Sequence, residues 1–256
     1  LKSKKQIKMS YDVEKVKPYN SEQPKSEQVI DMFNEIAPKY DKLNGVLSLG
    51  IDKYWRKESL KAIRKYKPKQ ILDIATGTGD FAIMANKILK PDRITATDIS
   101  VGMMNVGREK VLQNGLQDII HFERQDCAEL TYFENTFDAV TVSFGVRNFE
   151  HINMSFKEIL RVLKPGGVFI FVELTIPQQP QIKSLYNTYT QYGMPVIAKV
   201  LSTEQRAYEY LPESIAAFPQ GRDMMLILQE NGFTKIRLRR FTLGIATLYI
   251  AEKPTE

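Results

Sequence analysis

Short apolar runs alternate with helical patterns along the middle of the chain. The runs QILDIA, RITATD, IIHFERQD, FDAVTVSF and GVFIFVEL are rich in β-branched and aromatic residues. Between them, the spacing of apolar residues predicts a helix that starts at Asp80 and two more over residues 100–114 and 153–163. This alternation predicts an α/β fold built from βα units, with a parallel sheet that helices cover on both faces.

The flanking regions follow other patterns. Residues 26–37 predict a helix with one apolar face that Pro38 ends, and residues 53–66 predict a second helix rich in Lys and Arg. Beyond Glu173, residues 177–217 hold two Pro-punctuated segments, with four tyrosines from Tyr186 to Tyr208, which we expect to be helices over the ligand edge of the sheet. A helix over residues 221–231 and the strands TKIRLRRF and GIATLYIAE then predict a terminal antiparallel hairpin.

These patterns divide the chain into a tail and one domain. Residues 1–25 are polar, contain Pro18 and Pro24, and are expected to form a flexible basic N-terminal tail. Residues 26–256 are expected to form a single domain. Its expected parts are an N-terminal helical lid at 26–68, a ligand-binding core at 69–175, a substrate-covering insertion at 176–220, and a terminal helix and hairpin at 221–253.

Charge and composition narrow the classes of function. The net charge of the 256 residues is +6, but the tail alone holds seven lysines against three acidic residues, so the domain offers little electrostatic footprint for nucleic acid. We expect the tail to be a solvated arm or to be attracted to anionic lipid or another acidic surface. The lone cysteine, Cys127, excludes an internal disulfide, and no apolar run approaches the ~20 residues that span a bilayer, so we expect a cytoplasmic location.

The stretch ILDIATGTGDF, residues 71–81, predicts a ligand-binding loop between the first strand and its helix. Gly77 and Gly79 lack Cβ atoms, which lets the backbone approach a ligand, and the helix that starts at Asp80 supplies oriented N–H donors. The spacing from Gly77 to Ala82 also satisfies the relaxed dinucleotide pattern, and a tight turn without a ligand is a further alternative.

Three acidic residues at or near the ends of consecutive strands bear on whether the loop binds a dinucleotide or S-adenosylmethionine. Asp73 is well placed to attract the ammonium or sulfonium end of S-adenosylmethionine and poorly placed beside a pyrophosphate. Asp98 ends the second strand, where it can accept hydrogen bonds from ribose hydroxyls. Asp126 follows the third strand and can accept from an adenine amino group, while Cys127 packs on the ring. Asp73 favours S-adenosylmethionine over NAD, whereas Asp98 is equally compatible with NAD. Taken singly, Asp126 would more often be a turn or a helix cap, but three acidic residues at the ends of three consecutive strands make a coincidence much less likely.

This arrangement, with LKPGG before the fifth strand, resembles the class I S-adenosylmethionine-dependent methyltransferases over roughly residues 70–250. The resemblance implies a Rossmann-like, mostly parallel seven-stranded sheet with helices on both faces and a terminal antiparallel hairpin. The stretches YDKLNGVLSLGIDKYW, SFGVRN, RVLKPGGVFIFVELT and YLPESIAAFP narrow the likeness. They resemble the demethylmenaquinone and ubiquinone-precursor C-methyltransferases of quinone biosynthesis over about residues 26–253.

The family resemblance implies donor contacts from five residues of this chain: Thr78, Asp98, Asp126, Cys127 and Ser143. Two positions depart from the family pattern. Asp52 stands where the family commonly has a histidine, which changes the chemistry available there, and Thr175 replaces a serine but keeps the hydroxyl.

The implied reaction is methylation of a ring carbon that becomes nucleophilic when a neighbouring quinol hydroxyl loses its proton. For stabilisation of the phenolate we choose Arg147, a permanent cation just beyond the fourth strand, although an ordinary salt bridge would also explain it. Asp52 is the candidate for proton transfer or water positioning, with a helix cap as the alternative. Tyr40 and Asn44 are candidate contacts of the quinone head. The reaction requires no metal, and the two histidines are isolated in the sequence.

Several alternatives stay open at this stage. The acceptor is expected to be demethylmenaquinol, with a ubiquinone precursor or another small or lipid-like molecule as alternatives. A prenylated quinol is a membrane molecule, so helices 26–37 and 53–66 are expected either to contact the inner face of the membrane peripherally or only to cover the donor pocket. A nucleic-acid-modifying enzyme and a non-catalytic donor-binding protein fit the residues less well, and the oligomeric state is not specified.

Overall fold

A seven-stranded sheet forms the centre of the protein. The structure is a computed structural model, and it describes residues 10–19, 21–193 and 206–255. The strands are β1 Gln70–Ile74, β2 Arg93–Asp98, β3 Ile120–Arg124, β4 Phe137–Ser143, β5 Leu163–Leu174, β6 Thr234–Phe241 and β7 Ala246–Glu252. Their order is β3-β2-β1-β4-β5-β7-β6, in which β7 pairs antiparallel with both β5 and β6 and the other pairs are parallel. The expected parallel core and terminal antiparallel hairpin are confirmed.

Helices surround this sheet. In the described residues they are α1 Asp12–Lys15, α2 Lys25–Ile36, α3 Tyr40–Leu47, α4 Asp52–Ala62, α5 Asp80–Leu89, α6 Val101–Gln113, α7 Ile152–Val162, α8 Pro180–Thr188, α9 Arg206–Ala217 and α10 Arg222–Glu230. One π-helical turn, Tyr189–Gly193, continues α8. None of the helices in the described ranges is long and apolar enough to span a membrane.

The core lies on both faces of the sheet, as the apolar runs predicted. The centre of β5, from Val168 to Val172, is fully buried because its alternate side chains enter two separate apolar clusters. Phe169 and Phe171 pack against Phe156 of α7, whereas Val168 and Ile170 pack on the opposite face. Burial of aromatic and branched side chains on this scale is the main stabilising contribution to such a domain.

The segment before α2 differs from the expected flexible tail. Tyr11 and Val13 are buried in the main core cluster, and the carboxylate of Glu14 accepts a hydrogen bond from the backbone N–H of Ile152 at 2.8 Å. The expectation is therefore wrong for residues 10–19 and 21–25, because two apolar side chains in a polar stretch suffice to anchor it to α7. Residues 1–9 and Asn20 lie outside the described residues.

The strand order fixes where a ligand can bind. β1 lies between β2 and β4, so the connections after β1 and β4 leave the sheet towards opposite sides. At such a switch point the carboxyl ends of the strands leave a crevice. Both connections begin with a residue in the left-handed region, Ala75 at φ 51° and Phe144 at φ 60°. Such strain in residues other than glycine is concentrated at functional sites.

Candidate active site

The Asp73 carboxylate lies at the end of β1, almost fully buried. Its two oxygens accept hydrogen bonds from Thr76 Oγ1 at 2.6 Å and Thr141 Oγ1 at 2.5 Å. Burial raises the pKa of Asp73 to about 6, and the two hydroxyl donors partly oppose this shift. The carboxylate lines a narrow cavity, and with this pKa it changes from its neutral to its ionised form at about pH 6.

The glycine loop follows directly. Gly77 and Gly79 have positive φ angles of 57° and 78°, a region that glycine enters without a steric penalty. A Cβ at Gly79 would lie only 2.9 Å from the ring of Phe122, so this position also requires glycine for packing. Thr78, between them, is buried and donates to Asp41 Oδ1 at 2.6 Å. The loop thus presents backbone towards the cavity, as predicted.

The Asp98 carboxylate joins the end of β2 to this loop. It accepts hydrogen bonds from Gly77 N at 2.8 Å and Ser100 N at 2.9 Å. Each carboxylate oxygen has a second lone pair, so the group can still accept from a ligand hydroxyl. Burial raises the pKa of Asp98, and the backbone donors act in the opposite direction.

Asp126 and Cys127 lie on the far side of a second cavity, which Asp98 also lines. Asp126 Oδ1 accepts a hydrogen bond from the backbone N–H of Ala128 at 2.8 Å, so this carboxylate also closes a local turn. Cys127 Sγ lies 3.2 Å from Ser155 Oγ, and burial raises the pKa of its thiol to about 12. The cysteine therefore stays a neutral, polarisable wall rather than a nucleophile.

The two cavities form one groove across the carboxyl ends of the strands. They share Ala75 and enclose about 500 Å³ and 320 Å³ including their open mouths. Ser143 lies at the end of β4 in the narrow part. The groove combines a wide part between acidic and apolar walls with a narrow, charged part, which fits an adenosine joined to a small zwitterion. All eight predicted donor residues lie along it or in the loop that forms it.

A larger, more apolar cavity adjoins the narrow part. It encloses about 750 Å³ including its mouth, a size typical of sites for small organic ligands. The structure brings together here all four residues predicted for acceptor chemistry: Tyr40, Asn44, Asp52 and Arg147. Tyr186 and Tyr189 of the tyrosine-rich segment also line it. The Tyr189 hydroxyl donates to Leu47 O at 2.8 Å and so ties the segment to α3.

The Arg147 guanidinium is held in this cavity by an ion pair. Its Nη1 lies 2.9 Å from Glu173 Oε2, and both side chains are buried. Its Nε is also buried, yet it has no hydrogen-bond partner among the described residues. Because an unpaired buried N–H is costly, this donor is available to a ligand that enters the cavity.

The sequence prediction missed Arg56, which lines both the acceptor cavity and the narrow part of the groove. It lies one helical turn after Asp52 in α4, and its Nη1 is 2.9 Å from Asp52 Oδ2. Asp52 Oδ1 also accepts from Ser48 Oγ at 2.6 Å. The (i, i+4) spacing was the one available signal, but it is shared by many surface ion pairs. In the described ranges, no group of three or more His, Cys, Asp or Glu side chains could hold a metal ion.

Comparisons with known proteins agree on one family. The model of the ubiE/COQ5 methyltransferase family matches residues 21–253. A demethylmenaquinone methyltransferase of Bacteroides fragilis is 49% identical over 245 residues, which are 96% of this chain and all of the relative. A ubiquinone/menaquinone biosynthesis C-methyltransferase of Geobacter sulfurreducens is 39% identical over 90% of both chains.

The likeness extends to solved structures. The crystal structure of an S-adenosylmethionine-dependent methyltransferase from Thermotoga maritima aligns with a TM-score of 0.59 over 87% of this chain and 99% of that chain, at 14% identity. At this identity the likeness supports the fold alone, and it confirms the Rossmann-like class I architecture that the sequence predicted.

Proposed function

Because this chain belongs to the ubiE/COQ5 methyltransferase family, we propose that it methylates the ring of demethylmenaquinol. It is an S-adenosylmethionine-dependent methyltransferase of quinone biosynthesis. One observation carries the assignment of the acceptor site. Next to the donor groove lies a mostly apolar cavity in which the buried Arg147 has an N–H donor without a partner among the described residues.

The donor groove can hold S-adenosylmethionine along its length. The residues proposed to contact it are Asp73, Gly77, Thr78, Gly79, Asp98, Asp126, Cys127 and Ser143. When bound, the donor supplies a methyl group made electrophilic by the neighbouring sulfonium. Asp98 and Asp126 accept from hydroxyl and amino hydrogens, and Asp73 attracts positive charge when it is ionised.

Arg147 stabilises the acceptor in its reactive form. Loss of the proton from a quinol hydroxyl creates a phenolate, and the ring carbon beside it becomes the nucleophile. The guanidinium is a permanent cation whose free Nε donor can take the phenolate oxygen, while Glu173 fixes its orientation. The new bond to the methyl carbon forms as the methyl–sulfur bond breaks, which leaves S-adenosylhomocysteine. The same ring carbon then loses its proton to Asp52 or to a water that Asp52 positions, which restores the aromatic ring. This chemistry needs an activated ring and an electrophilic methyl group, and neither depends on a metal.

Asp52, Tyr40 and Asn44 complete the acceptor cavity. We assign Asp52 to proton transfer or water positioning, since its carboxylate lies in the same cavity as Arg147. Burial raises the pKa of Tyr40, and its hydrogen bond with Asn44 opposes the shift, so the phenol stays a neutral donor beside the quinone head.

The reaction is tested by transfer of a labelled methyl group to chemically reduced demethylmenaquinone in detergent. Ring methylation is located by mass spectrometry, and the same assay with a ubiquinone precursor distinguishes the two acceptors. Arg147→Lys keeps a charge opposite Glu173 but removes the Nε donor, and we expect the rate to fall about 100-fold while donor binding is retained. Arg161→Lys is the matched control, because Arg161 is also ion-paired, to Glu158 at 2.7 Å, but lines neither cavity. Donor binding without methylation of either quinol would refute the acceptor assignment.

We also propose that the mouth of the acceptor cavity contacts the membrane surface. The apolar face of α2 packs against the protein instead: Val29 and Met32 are buried, and Phe33 lines a cavity together with Leu43 and Leu211. Among the residues that the structure describes, six of the eleven exposed large apolar side chains lie within two residues of a residue that lines the acceptor cavity. They are Val46, Leu49, Tyr54, Leu185, Tyr192 and Leu243.

This set, the mouth residues, has basic neighbours. Lys53 and Lys183 are both exposed. Apolar side chains beside lysines favour the interface of a bilayer that contains anionic lipid. A prenylated quinol could then enter the cavity with its tail still in the lipid.

Flotation with vesicles of phosphatidylglycerol and phosphatidylcholine tests the membrane contact. Changing Leu49, Leu185 and Leu243 together to Ser should abolish co-flotation and leave donor binding unchanged. The matched control changes Leu112 and Phe133 to Ser, since both are exposed but precede β3 and β4, at the opposite edge of the sheet. Equal flotation of the mouth variant and the control would contradict the proposal.

A further inference from the structure

Arg56 occupies a position that the acceptor chemistry does not explain. Its side chain is only 9% exposed although it carries a permanent charge. It lies where the narrow part of the donor groove meets the acceptor cavity, and it lines both. Burial of a charge at this junction is costly unless the charge has partners.

Its protein partners use only part of the guanidinium. Nε donates to Ser143 Oγ at 3.0 Å, and Nη1 lies 2.9 Å from Asp52 Oδ2 and 3.6 Å from Asp80 Oδ2. The guanidinium also lies 5.4 Å from the centre of the Phe144 ring. An arginine has five N–H donors in a planar fork, and Nη2 forms no hydrogen bond or ion pair with the described residues. The fork is therefore oriented by protein on one side and free on the other.

The narrow cavity is rich in negative charge. Asp73 and Asp80 both line it, and within the described part of its lining Arg56 supplies the only formal positive charge. Lys110 lies outside the lining and pairs with Asp41 and Asp80. An amino-acid zwitterion needs an anionic partner for its ammonium and a cationic partner for its carboxylate. The pair Asp73 and Arg56 meets both needs.

We propose that Arg56 binds the α-carboxylate of the methionine moiety of S-adenosylmethionine, with Asp52 as the residue that positions it. The inference rests on the proposed donor and deepens that part of the proposed function. Ser143 and Asp52 hold the guanidinium through Nε and Nη1, which leaves the N–H donors of Nη2 for a carboxylate. Arg56 thereby selects donors that carry the amino-acid end.

The reaction has two anionic groups, the phenolate of the acceptor and the α-carboxylate of the donor, and a different arginine lies near each. Arg147 lines the acceptor cavity but not the narrow part of the groove, and its ion pair with Glu173 directs it towards β5. Arg56 is the arginine that reaches the donor loop. Its charge is also felt on the donor side, since it lowers the pKa of Asp73 against the larger effect of burial.

The test compares two ligands that differ only in the carboxylate: S-adenosylhomocysteine and its decarboxylated analogue. Calorimetry on the full chain should give a roughly 10- to 100-fold preference for the carboxylated ligand. In Arg56→Gln this preference should fall below about threefold, because affinity for the decarboxylated analogue changes little. Lys57→Gln removes a charge from the exposed face of the same helix and should keep the full preference.

Two other outcomes are decisive. If Arg56→Gln weakens both ligands equally, the arginine acts on the fold of the groove and the proposal is overturned. If the unaltered protein shows no preference for the carboxylated ligand, it is overturned as well. The assay contains no quinol, so either result leaves the acceptor assignment intact, whereas a complete lack of binding by S-adenosylhomocysteine would refute the donor assignment itself. Circular dichroism of both variants confirms that they are folded.

Discussion

At the scale of single residues, burial of Asp73 affects donor binding through the pKa of its carboxylate. Its carboxylate has almost no contact with solvent. Burial therefore raises its pKa to about 6, and the neutral form is favoured below that pH. A cationic donor favours the ionised form. Protonation and donor binding therefore compete for the same group.

This competition predicts a pH dependence of affinity. As the pH falls from 7 to 5, Asp73 passes through its pKa of about 6 and becomes neutral, and the dissociation constant of S-adenosylmethionine should rise roughly tenfold. Asp73→Asn should bind weakly with little dependence on pH over this interval, because the isosteric amide does not titrate. Calorimetric titrations at half-unit steps measure both curves. Parallel curves for the two proteins would show that another group is responsible.

Asp52 has two proposed roles that one substitution can separate. Asp52→Asn keeps an acceptor for Ser48 but loses its negative charge, while Arg56 still has Ser143 and Asp80 as partners. We expect kcat at saturating donor to fall about 100-fold because proton transfer is lost, and donor affinity to fall less than about tenfold. Single-turnover methylation with excess enzyme and equilibrium donor binding give the two numbers. An unchanged kcat would leave Asp52 as a positioning residue alone.

Prediction of single residues from the sequence succeeded where the topology of the sheet brings residues that are distant in the chain to one place. Asp73, Asp98 and Asp126 are distant in the chain, but parallel strands bring their carboxyl ends to one edge, so strand prediction alone placed them together. The sequence did not single out Arg56, because α4 also contains Lys53, Lys57 and Lys61. Only the packing of the helix shows which of these basic residues turns inward.

At the scale of elements, Lys25 joins three parts of the chain. Its ammonium is 1% exposed and donates to Val13 O at 2.7 Å, Arg147 O at 2.9 Å and Phe149 O at 3.4 Å. It therefore ties the segment before α2 to the turn that carries Arg147. Burial lowers the pKa of Lys25 to about 7, against the attraction of nearby carboxylates.

Lys25→Met tests this connection. Loss of the three hydrogen bonds should lower the free energy of unfolding at pH 7 by about 1–3 kcal/mol. Because the pKa of Lys25 is lowered on folding, the native state binds fewer protons than the unfolded state between about pH 7 and the usual value of 10.5, and this group adds stability as the pH rises. The difference in unfolding free energy between the parent and the variant should thus grow from pH 7 to pH 9, as measured by urea denaturation. A constant difference would indicate that Lys25 does not titrate in this range.

Element prediction was reliable for the sheet and failed before α2. The strands have apolar runs that are typical of a sheet covered by helices on both faces. Tyr11 and Val13, in contrast, lie among polar residues and show no periodic spacing. Their burial depends on a surface that α7 and the turn at Arg147 create, which no local pattern reveals. Residues 194–205 lie outside the described residues, so the cover of the ligand edge stays a prediction.

At the scale of the whole molecule, the proposed site lies between the sheet and its coverings. The donor groove belongs to the sheet, and the acceptor cavity is enclosed by α3, α4, α8 and α9. Trp55 Nε1 donates to Thr242 Oγ1 at 2.8 Å, which fastens α4 to the corner between β6 and β7. Elements from both ends of the chain are thus needed to close the acceptor side. Most of the donor side comes from residues 73–155, to which α3 and α4 add Tyr40 and Arg56.

The wall that Tyr40 and Arg56 share between the two cavities has a consequence for the order of events. A quinol ring seated against this wall would restrain both side chains and hinder entry into the narrow part behind them. The donor should therefore bind first, and S-adenosylhomocysteine should leave last. S-adenosylhomocysteine should bind at least about tenfold more slowly to protein preincubated with quinol than to free protein, as measured by stopped-flow Tyr and Trp fluorescence in detergent. Equal rates would indicate random order; the expected result would mean that turnover is fast only when the methyl donor is in place before the lipid substrate arrives, so that a quinol captured too early delays the next cycle.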